Sequence, residues 1–484
     1  MAVDPADTSA TLLIDGEWRS GASAFDVVDP ATLEVIAKVA DGGPDDALAA
    51  LSAADAAFRI WRDVPSEERA ATLRRAADRI RAEADRLAAV LTAENGKPIG
   101  ESRGEVLGSA RMLEWAAEEG RRAYGRVTPS NAAGPGLVMR EPVGPALAIS
   151  PWNFPASMLV RKLSLALAAG CTVIAKPAEQ TPLIATELIR IIADAGLPPG
   201  ALQSITTSRP AEVAGALLAN PRLRKVSFTG STEVGLSLIR STEKHLRRTS
   251  LELGGHSPAI VFDDADLASA AAGVVATKFA NAGQSCISIN RLFVQRNVLE
   301  EFLPLVLERV AELRVGHGTT TGTTIGPLID FAGLDKVERH VADAVKRGAT
   351  ALTGGRRWEP GDAKLTGAFY EPTVLTGVDD SMLISSEETF GPVLPIYAFD
   401  DEDEVVDRAN ATDYGLAAYV YSNRLDRVMR IADRLSFGLI GVNDPFPVRP
   451  ELPFGGIRNS GQEREGGSEG IDAYLETKSV SVKL

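Results

Sequence analysis

The chain has 484 residues, more than one hydrophobic core usually organises, so its length predicts two or three domains. Apolar residues make up 45% and charged residues 24%, the proportions of an ordinary globular protein rather than a disordered one. A formal charge of −14 disfavours nucleic acid and anionic membrane as partners, since both select a basic surface, and leaves a small molecule as the expected ligand.

The first residues, MAVDPADTSATLLIDGEW, lack the basic and apolar regions of a signal peptide, and no stretch approaches ~18 uninterrupted apolar residues. A cytoplasmic protein is expected. The two cysteines, Cys171 and Cys286, and the four histidines show no metal-ligand spacing, so neither a metal site nor a disulfide framework is expected. Residues 45 to 125 place Ala, Leu and Ile at three- and four-residue intervals between Arg and Glu, which predicts helices with solvated charged faces.

From residue 143 short β-type runs alternate with amphipathic stretches: PALAIS, SMLVRKLSLALAAG, CTVIAK, LIATELIRIIADAG, ALQSITT, AEVAGALLAN, KVSFTG and STEVGLSLIRSTE. Strand-then-helix units in succession predict a doubly wound parallel sheet, because parallel neighbours need crossover connections, and such a sheet binds ligands beyond the carboxyl ends of its strands. A second α/β unit is expected from SPAIVF to about residue 455. The tail ETKSVSVKL alternates apolar and polar residues and reads as a half-exposed strand free to pair elsewhere.

Several strand ends carry reactive residue types. In PWNFP, Asn153 either forms a turn or donates its amide to a developing oxyanion. In KPAEQTP, Lys176 and Glu179 belong to a charged loop or to a ribose-binding strand end. In KVSFTGSTEVG, Gly230 and Gly235 open a helix whose free N–H groups suit a phosphate, although a plain strand-to-helix turn has the same composition. Glu252 in LELGG is an acid inside an apolar strand, either salt-bridged or a general base with a raised pKa. Cys171, in the apolar GCTVIA, reads as core. Cys286 in NAGQSC has Gly, Gln and Ser for neighbours, and residue types alone leave it between nucleophile and core filler.

Taken in order, PWNFP, KPAEQTP, FTGSTEVG, LELGG, GQSC, ETFGPV at 388–393 and LPFGGIRNSG at 452–461 resemble the NAD(P)-dependent aldehyde dehydrogenase superfamily over nearly the whole chain. The resemblance implies an α/β, aldehyde dehydrogenase-like fold. A doubly wound parallel-sheet cofactor domain would span 1–125 and 143–254, and an α/β catalytic domain 255–459. A small β oligomerisation element would span 126–142 and 468–484, its C-terminal strand completing the element across a subunit contact of a homodimer or homotetramer.

It also implies roles. Cys286 matches the nucleophile, Glu252 the base, Asn153 the oxyanion donor, and Lys162 with Glu465 a proton path to the base. Trp152, Lys176, Glu179, Gly230, Ser231, Gly235, Leu253, Glu388 and Phe390 match cofactor positions. No metal is implied. NAD is expected to be preferred over NADP because Glu179 repels a 2′-phosphate, an effect that Lys176 offsets in part.

Phe154 and Arg161 match positions lining the substrate tunnel, and a cation there suits a semialdehyde such as succinate semialdehyde. The alternative is a general aliphatic, aromatic or hydroxyaldehyde substrate. The carboxylate clamp of semialdehyde enzymes is incomplete here, because Ala280 and Val448 stand where such enzymes have Arg and Ser. Arg449 is a substitute cation that Glu451 is placed in sequence to neutralise, and Ser288 stands where some relatives carry a redox-active cysteine. Rival readings are a cysteine hydrolase pairing Cys286 with His256, and a catalytically silent binding protein. A CoA-acylating enzyme is disfavoured by Glu252.

Overall fold

A computed structural model describes residues 11–131 and 134–483. It begins with four strands that the periodicity of the sequence does not announce. Leu12–Ile14 and Glu17–Arg19 form a hairpin around Asp15 and Gly16, both at positive φ (54° and 81°), the two-residue turn that an Asp-Gly pair favours. Ala24–Val28 pairs antiparallel with Val35–Ala40. Four helices follow as expected, Pro44–Trp61, Ser66–Ala82, Ala84–Asn95 and Ile99–Gly120, burying Ala, Leu and Ile at helical spacing.

The first large sheet has the order 461–462, 248–252, 225–229, 146–149, 173–176, 202–204, 12–14, 17–19. Its five central strands are parallel and both margins are antiparallel. From 146–149 the chain builds outward to 173–176 and 202–204, then returns to lay 225–229 and 248–252 on the other side. The switch point therefore lies between Ala146–Ile149 and Lys225–Thr229, with PWNFP leaving one strand end and TGST the other. The helix Pro155–Ala169 is buried on every side rather than amphipathic, because helix Ile99–Gly120 covers the face turned away from the sheet.

The second sheet, order 350–353, 373–376, 393–399, 289–295, 257–261, 417–421, 439–442, is parallel except at Thr350–Thr353. In the third sheet the tail strand Leu475–Ser481 pairs with Gly134–Pro142 of its own chain, from Leu475 opposite Pro142 to Ser481 opposite Gly136, and Gly134–Pro142 pairs in turn with Arg126–Asn131. The tail strand therefore finds its partner on one side within its own chain, and its other side is the outer edge of this sheet. Among the described residues no helix is long and apolar enough to cross a membrane, and no group of three His, Cys, Asp or Glu side chains is placed to hold a metal ion.

Candidate active site

A cavity of about 1060 Å³ is lined from both large sheets. Its walls include Trp152, Asn153, Phe154, Arg161, Cys286, Glu388, Phe390 and Phe454. The loop that delivers Cys286 is unusual backbone. Asn281, Ala282 and Gly283 lie consecutively in the left-handed region (φ 49°, 55° and 76°), and the two non-glycines each cost about 1 kcal/mol or more. Side chains hold them there. The Asn281 N–H donates to Glu101 Oε2 at 2.8 Å, Asn281 Nδ2 to the Asn153 carbonyl at 2.9 Å, and Gln284 Nε2 to the Asn281 carbonyl at 3.0 Å. At Gly283 an added Cβ would lie 2.1 Å from the Gly391 carbonyl oxygen, so the strand end carrying ETFGPV packs directly on the loop.

Asn153 is buried and its Nδ2 donates to the Gln284 carbonyl at 3.0 Å, leaving the second N–H of that amide for another acceptor. Cys286 is half-buried at the cavity wall, and its thiol is pushed up to about 12 by burial and by the carboxylates of Glu388 and Glu252. The thiol is therefore protonated at neutral pH and needs a base to become a nucleophile.

Glu252 ends strand Arg248–Glu252 and sits behind the cavity lining. Its side chain is buried, neither carboxylate oxygen has a hydrogen-bond partner among the described residues, and an added Cβ at Gly455 would lie 2.7 Å from Oε1. Burial and the charge of Glu465 hold its pKa well above the ordinary 4.5, against the pull of Lys162 and Arg161. Glu465 Oε1 accepts from Lys162 Nζ at 2.6 Å and from Ser227 Oγ at 3.1 Å, while Oε2 is buried without a partner. Lys162, Glu465 and Glu252 thus form a buried titratable cluster behind the Cys286 wall.

Arg161 lies beside this cluster and also lines the cavity. Its Nη1 donates to the Glu465 carbonyl at 3.2 Å, its guanidinium lies 5.0 Å from the Phe454 ring centre, and its Nε has no partner although the residue is only 3% exposed. Ala280, Val448 and Arg449 line the same cavity. The expected neutralisation of Arg449 by Glu451 is corrected: Arg449 Nη2 pairs with Asp444 Oδ2 at 2.7 Å, since the intervening turn brings Asp444 to it. His256 is fully buried, its Nε2 is engaged with the Ser385 carbonyl at 2.9 Å, and no hydrogen bond joins it to Cys286, which removes the support for a Cys–His hydrolase.

The other end of the cavity lies at the switch point. Gly230 and Ser231 line it at the start of helix Thr232–Ser241, where Ser231 Oγ caps the Val234 N–H at 3.3 Å. An added Cβ at Gly230 would lie 2.4 Å from the Phe228 ring, and one at Gly235 2.5 Å from Leu253, itself a lining residue. Thr229 Oγ1, in the same wall, is buried without a partner, and Val234 and Ile239 are exposed on the adjoining helix. Bare backbone at a helix N-terminus, an unsatisfied hydroxyl and an apolar helix face fit the phosphates, polar groups and base of a dinucleotide. Lys176 and Glu179 stand outside the lining but at the end of the neighbouring strand, paired at 3.4 Å. Glu388 accepts from the Gly255 N–H at 3.0 Å and is pushed up to about 7 by burial, and Phe390 packs edge-on to Trp152 at 5.6 Å.

Sequence reasoning missed a supporting cluster. Lys97, 1% exposed, donates to Glu105 Oε2 at 2.6 Å and to the Asn153 carbonyl at 2.7 Å, and its Nζ lies 4.1 Å from the Phe154 ring centre. Glu105 Oε1 accepts the Ala156 and Ser157 N–H groups at 2.9 and 3.1 Å, capping the helix that carries Arg161 and Lys162. The only hint in the sequence was NGKP, a lysine just past a helix-ending glycine, which surface turns share.

The aldehyde dehydrogenase family model matches residues 18–480. The chain is 46% identical to the mitochondrial succinate-semialdehyde dehydrogenase of Rattus norvegicus, over 98% of this chain and 92% of that one. It is 43% identical to the glutarate-semialdehyde dehydrogenase of Pseudomonas putida, over 97% of both. A crystal structure described as an E. coli NADP-dependent enzyme superimposes with a TM-score of 0.97 at 43% identity, covering 100% of both chains. The protein belongs to the aldehyde dehydrogenase family and is an NAD(P)-dependent enzyme.

Proposed function

We propose that the chain oxidises an aldehyde carrying a distal carboxylate, such as succinate semialdehyde, to the corresponding dicarboxylic acid. The observation that carries the reading is Arg161: a buried guanidinium in the cavity wall with Nε unsatisfied suits an anionic substrate end. The names of the rat and Pseudomonas relatives support it.

The Cys286 thiol gives its proton to water in the cavity, which carries it to solvent, and the thiolate attacks the aldehyde carbon. The oxyanion that forms accepts from the free N–H of the Asn153 amide and from the Cys286 backbone N–H. A nicotinamide nucleotide, when bound, would supply the hydride acceptor, and loss of hydride from this carbon leaves a thioester on Cys286. Glu252 as carboxylate then takes a proton from water, whose oxygen attacks the thioester, releasing the acid and restoring the thiolate of Cys286. Lys162 and Glu465 relay that proton away from the cavity. Phe154 packs beside the aldehyde chain.

The cofactor would be held by Trp152, Lys176, Glu179, Gly230, Ser231, Gly235, Leu253, Glu388 and Phe390. NAD is preferred, since Glu179 disfavours a 2′-phosphate, and kcat/KM with each nucleotide tests this. The units are a cofactor domain (1–125, 143–254), a catalytic domain (255–459) and an oligomerisation element (126–142, 468–484) in a homodimer or homotetramer. Two unpaired cysteines accord with a cytoplasmic location.

The test is kcat/KM for succinate semialdehyde and for butanal, in the wild type and in Arg161→Ala. The carboxylated substrate should lead by about tenfold, the lower end of what a charge-assisted hydrogen bond contributes, and Arg161→Ala should erase most of the lead. Equal values in the wild type would mean a general aldehyde dehydrogenase.

A further inference from the structure

The helix Ile99–Gly120 turns one face to the cavity, presenting Glu101, Gly104, Glu105, Gly108, Arg111 and Met112 at helical spacing. Two of these are glycines with nothing to fill their place. A Cβ added at Gly104 would meet no atom within 4 Å, and one at Gly108 would meet only the Arg111 guanidinium, at 3.9 Å. The wall is therefore recessed and ends at a cation. Arg111 is exposed and, among the described residues, has neither an ion pair nor a side-chain hydrogen bond.

Arg111 belongs to the same end of the cavity as Arg161. The two helices run side by side in the same direction, since Glu105 holds the Ala156 and Ser157 N–H groups while Gly120 lies against Ala168. Six residues beyond Glu105 and five beyond Ala156, Arg111 and Arg161 stand at one level. Segment 465–467 spans both helices near that level, accepting from Arg161 Nη1 at the Glu465 carbonyl and from Trp115 Nε1 at the Gly467 carbonyl. Arg161 is buried with Nε unsatisfied, so this end of the cavity already holds a cation with an unused donor.

We propose that Arg111 is a specificity-determining residue: it receives the carboxylate of ω-carboxylated aldehydes longer than succinate semialdehyde, while their chain lies along the Gly104–Gly108 recess. Arg161, deeper in the wall, engages the shorter substrate. In this arrangement Arg111 supplies, from the helix 99–120 wall, the second cation that Ala280 does not. The inference rests on the semialdehyde reading above and adds to it a length selection by a residue outside the family's named positions.

The experiment compares two ratios of kcat/KM, glutarate semialdehyde over pentanal and succinate semialdehyde over butanal, in wild type, Arg111→Ala, Arg111→Lys and Gly108→Leu. Arg111→Ala should lower the five-carbon ratio by about three- to tenfold, as for a partly exposed ion pair with good hydrogen bonds, and the four-carbon ratio by less than about twofold. Arg111→Lys should recover most of the loss, and Gly108→Leu should depress the five-carbon semialdehyde more than the four-carbon one. If Arg111→Ala leaves the five-carbon ratio within about twofold of wild type, or lowers both ratios alike, the role assigned to Arg111 is overturned while the semialdehyde reading stands. If neither ratio exceeds one in the wild type, both fall together.

Discussion

Two sets of buried glutamates, one in the helical layer and one behind Cys286, are treated oppositely. In the helical layer, Glu105 receives two backbone N–H groups and Lys97, and Glu94 receives the N–H groups of Leu183 and Ile184 at 2.7 and 2.8 Å. Behind Cys286, Glu252 receives nothing and Glu465 has one oxygen left over. The direction of the pKa shift does not separate the sets, because burial raises Glu94 to about 8 as it raises Glu252. Hydrogen bonding does. A satisfied carboxylate fixes a helix start, whereas an unsatisfied one is costly unless protonated and so retains a high proton affinity for use elsewhere. The first set fixes helix starts, Glu105 among them in the cavity wall, and the second is chemically available to whatever reaches Cys286.

Substitutions on both sides sharpen this contrast. The largest effect is expected at the thiol both sets serve: Cys286→Ala should lower oxidation by about 10⁴-fold or more, while NADH still binds by fluorescence titration. Residual turnover above about a hundredth of wild type would remove the thiol from the mechanism.

Glu252→Gln should slow steady turnover by about 10²–10⁴-fold yet leave a stoichiometric first burst of NADH, because the loss falls on thioester hydrolysis. A raised pKa also sets the sign of the pH effects. The base form appears only as pH climbs beyond the ordinary 4.5, so wild-type kcat should rise with pH over that range and the variant should lose this limb. In stability, the folded state favours the protonated group. Its contribution is complete below pH 4.5 and is lost as pH rises through the folded pKa, so the thermal midpoint of Glu252→Gln should gain on wild type toward alkaline pH. A difference that shrinks as pH rises would contradict an unsatisfied carboxylate.

On the satisfied side, Lys97→Met leaves Glu105 as a buried charge without its partner and should destabilise the fold by about 3–5 kcal/mol, read as a lowered first thermal transition. Lys97→Met Glu105→Gln should recover part of that loss. A single variant as stable as wild type would make the pair dispensable and the contrast between the two sets illusory.

The helices of 44–120, the strand-helix alternation after 143 and the segment carrying Cys286 were legible because hydrophobic periodicity and local glycine, proline and asparagine chemistry are properties of neighbouring residues. The opening strands were not, being three to six residues long and marked chiefly by an Asp-Gly turn. Nor was the burial of helix 155–169 legible, since its Arg161, Lys162 and Ser164 suggested a solvent face until Glu465 and helix 99–120 covered it. The sequence by itself determined the element types, the order of the motifs and the residue kinds available to react. Tertiary structure alone decided that Lys97 meets Asn153, that Glu465 lies behind Glu252, that Arg111 stands level with Arg161, and that the tail strand pairs at home. Each is a contact between segments remote in the chain, where long-range packing sets burial and hydrogen bonding and local pattern carries no trace of either.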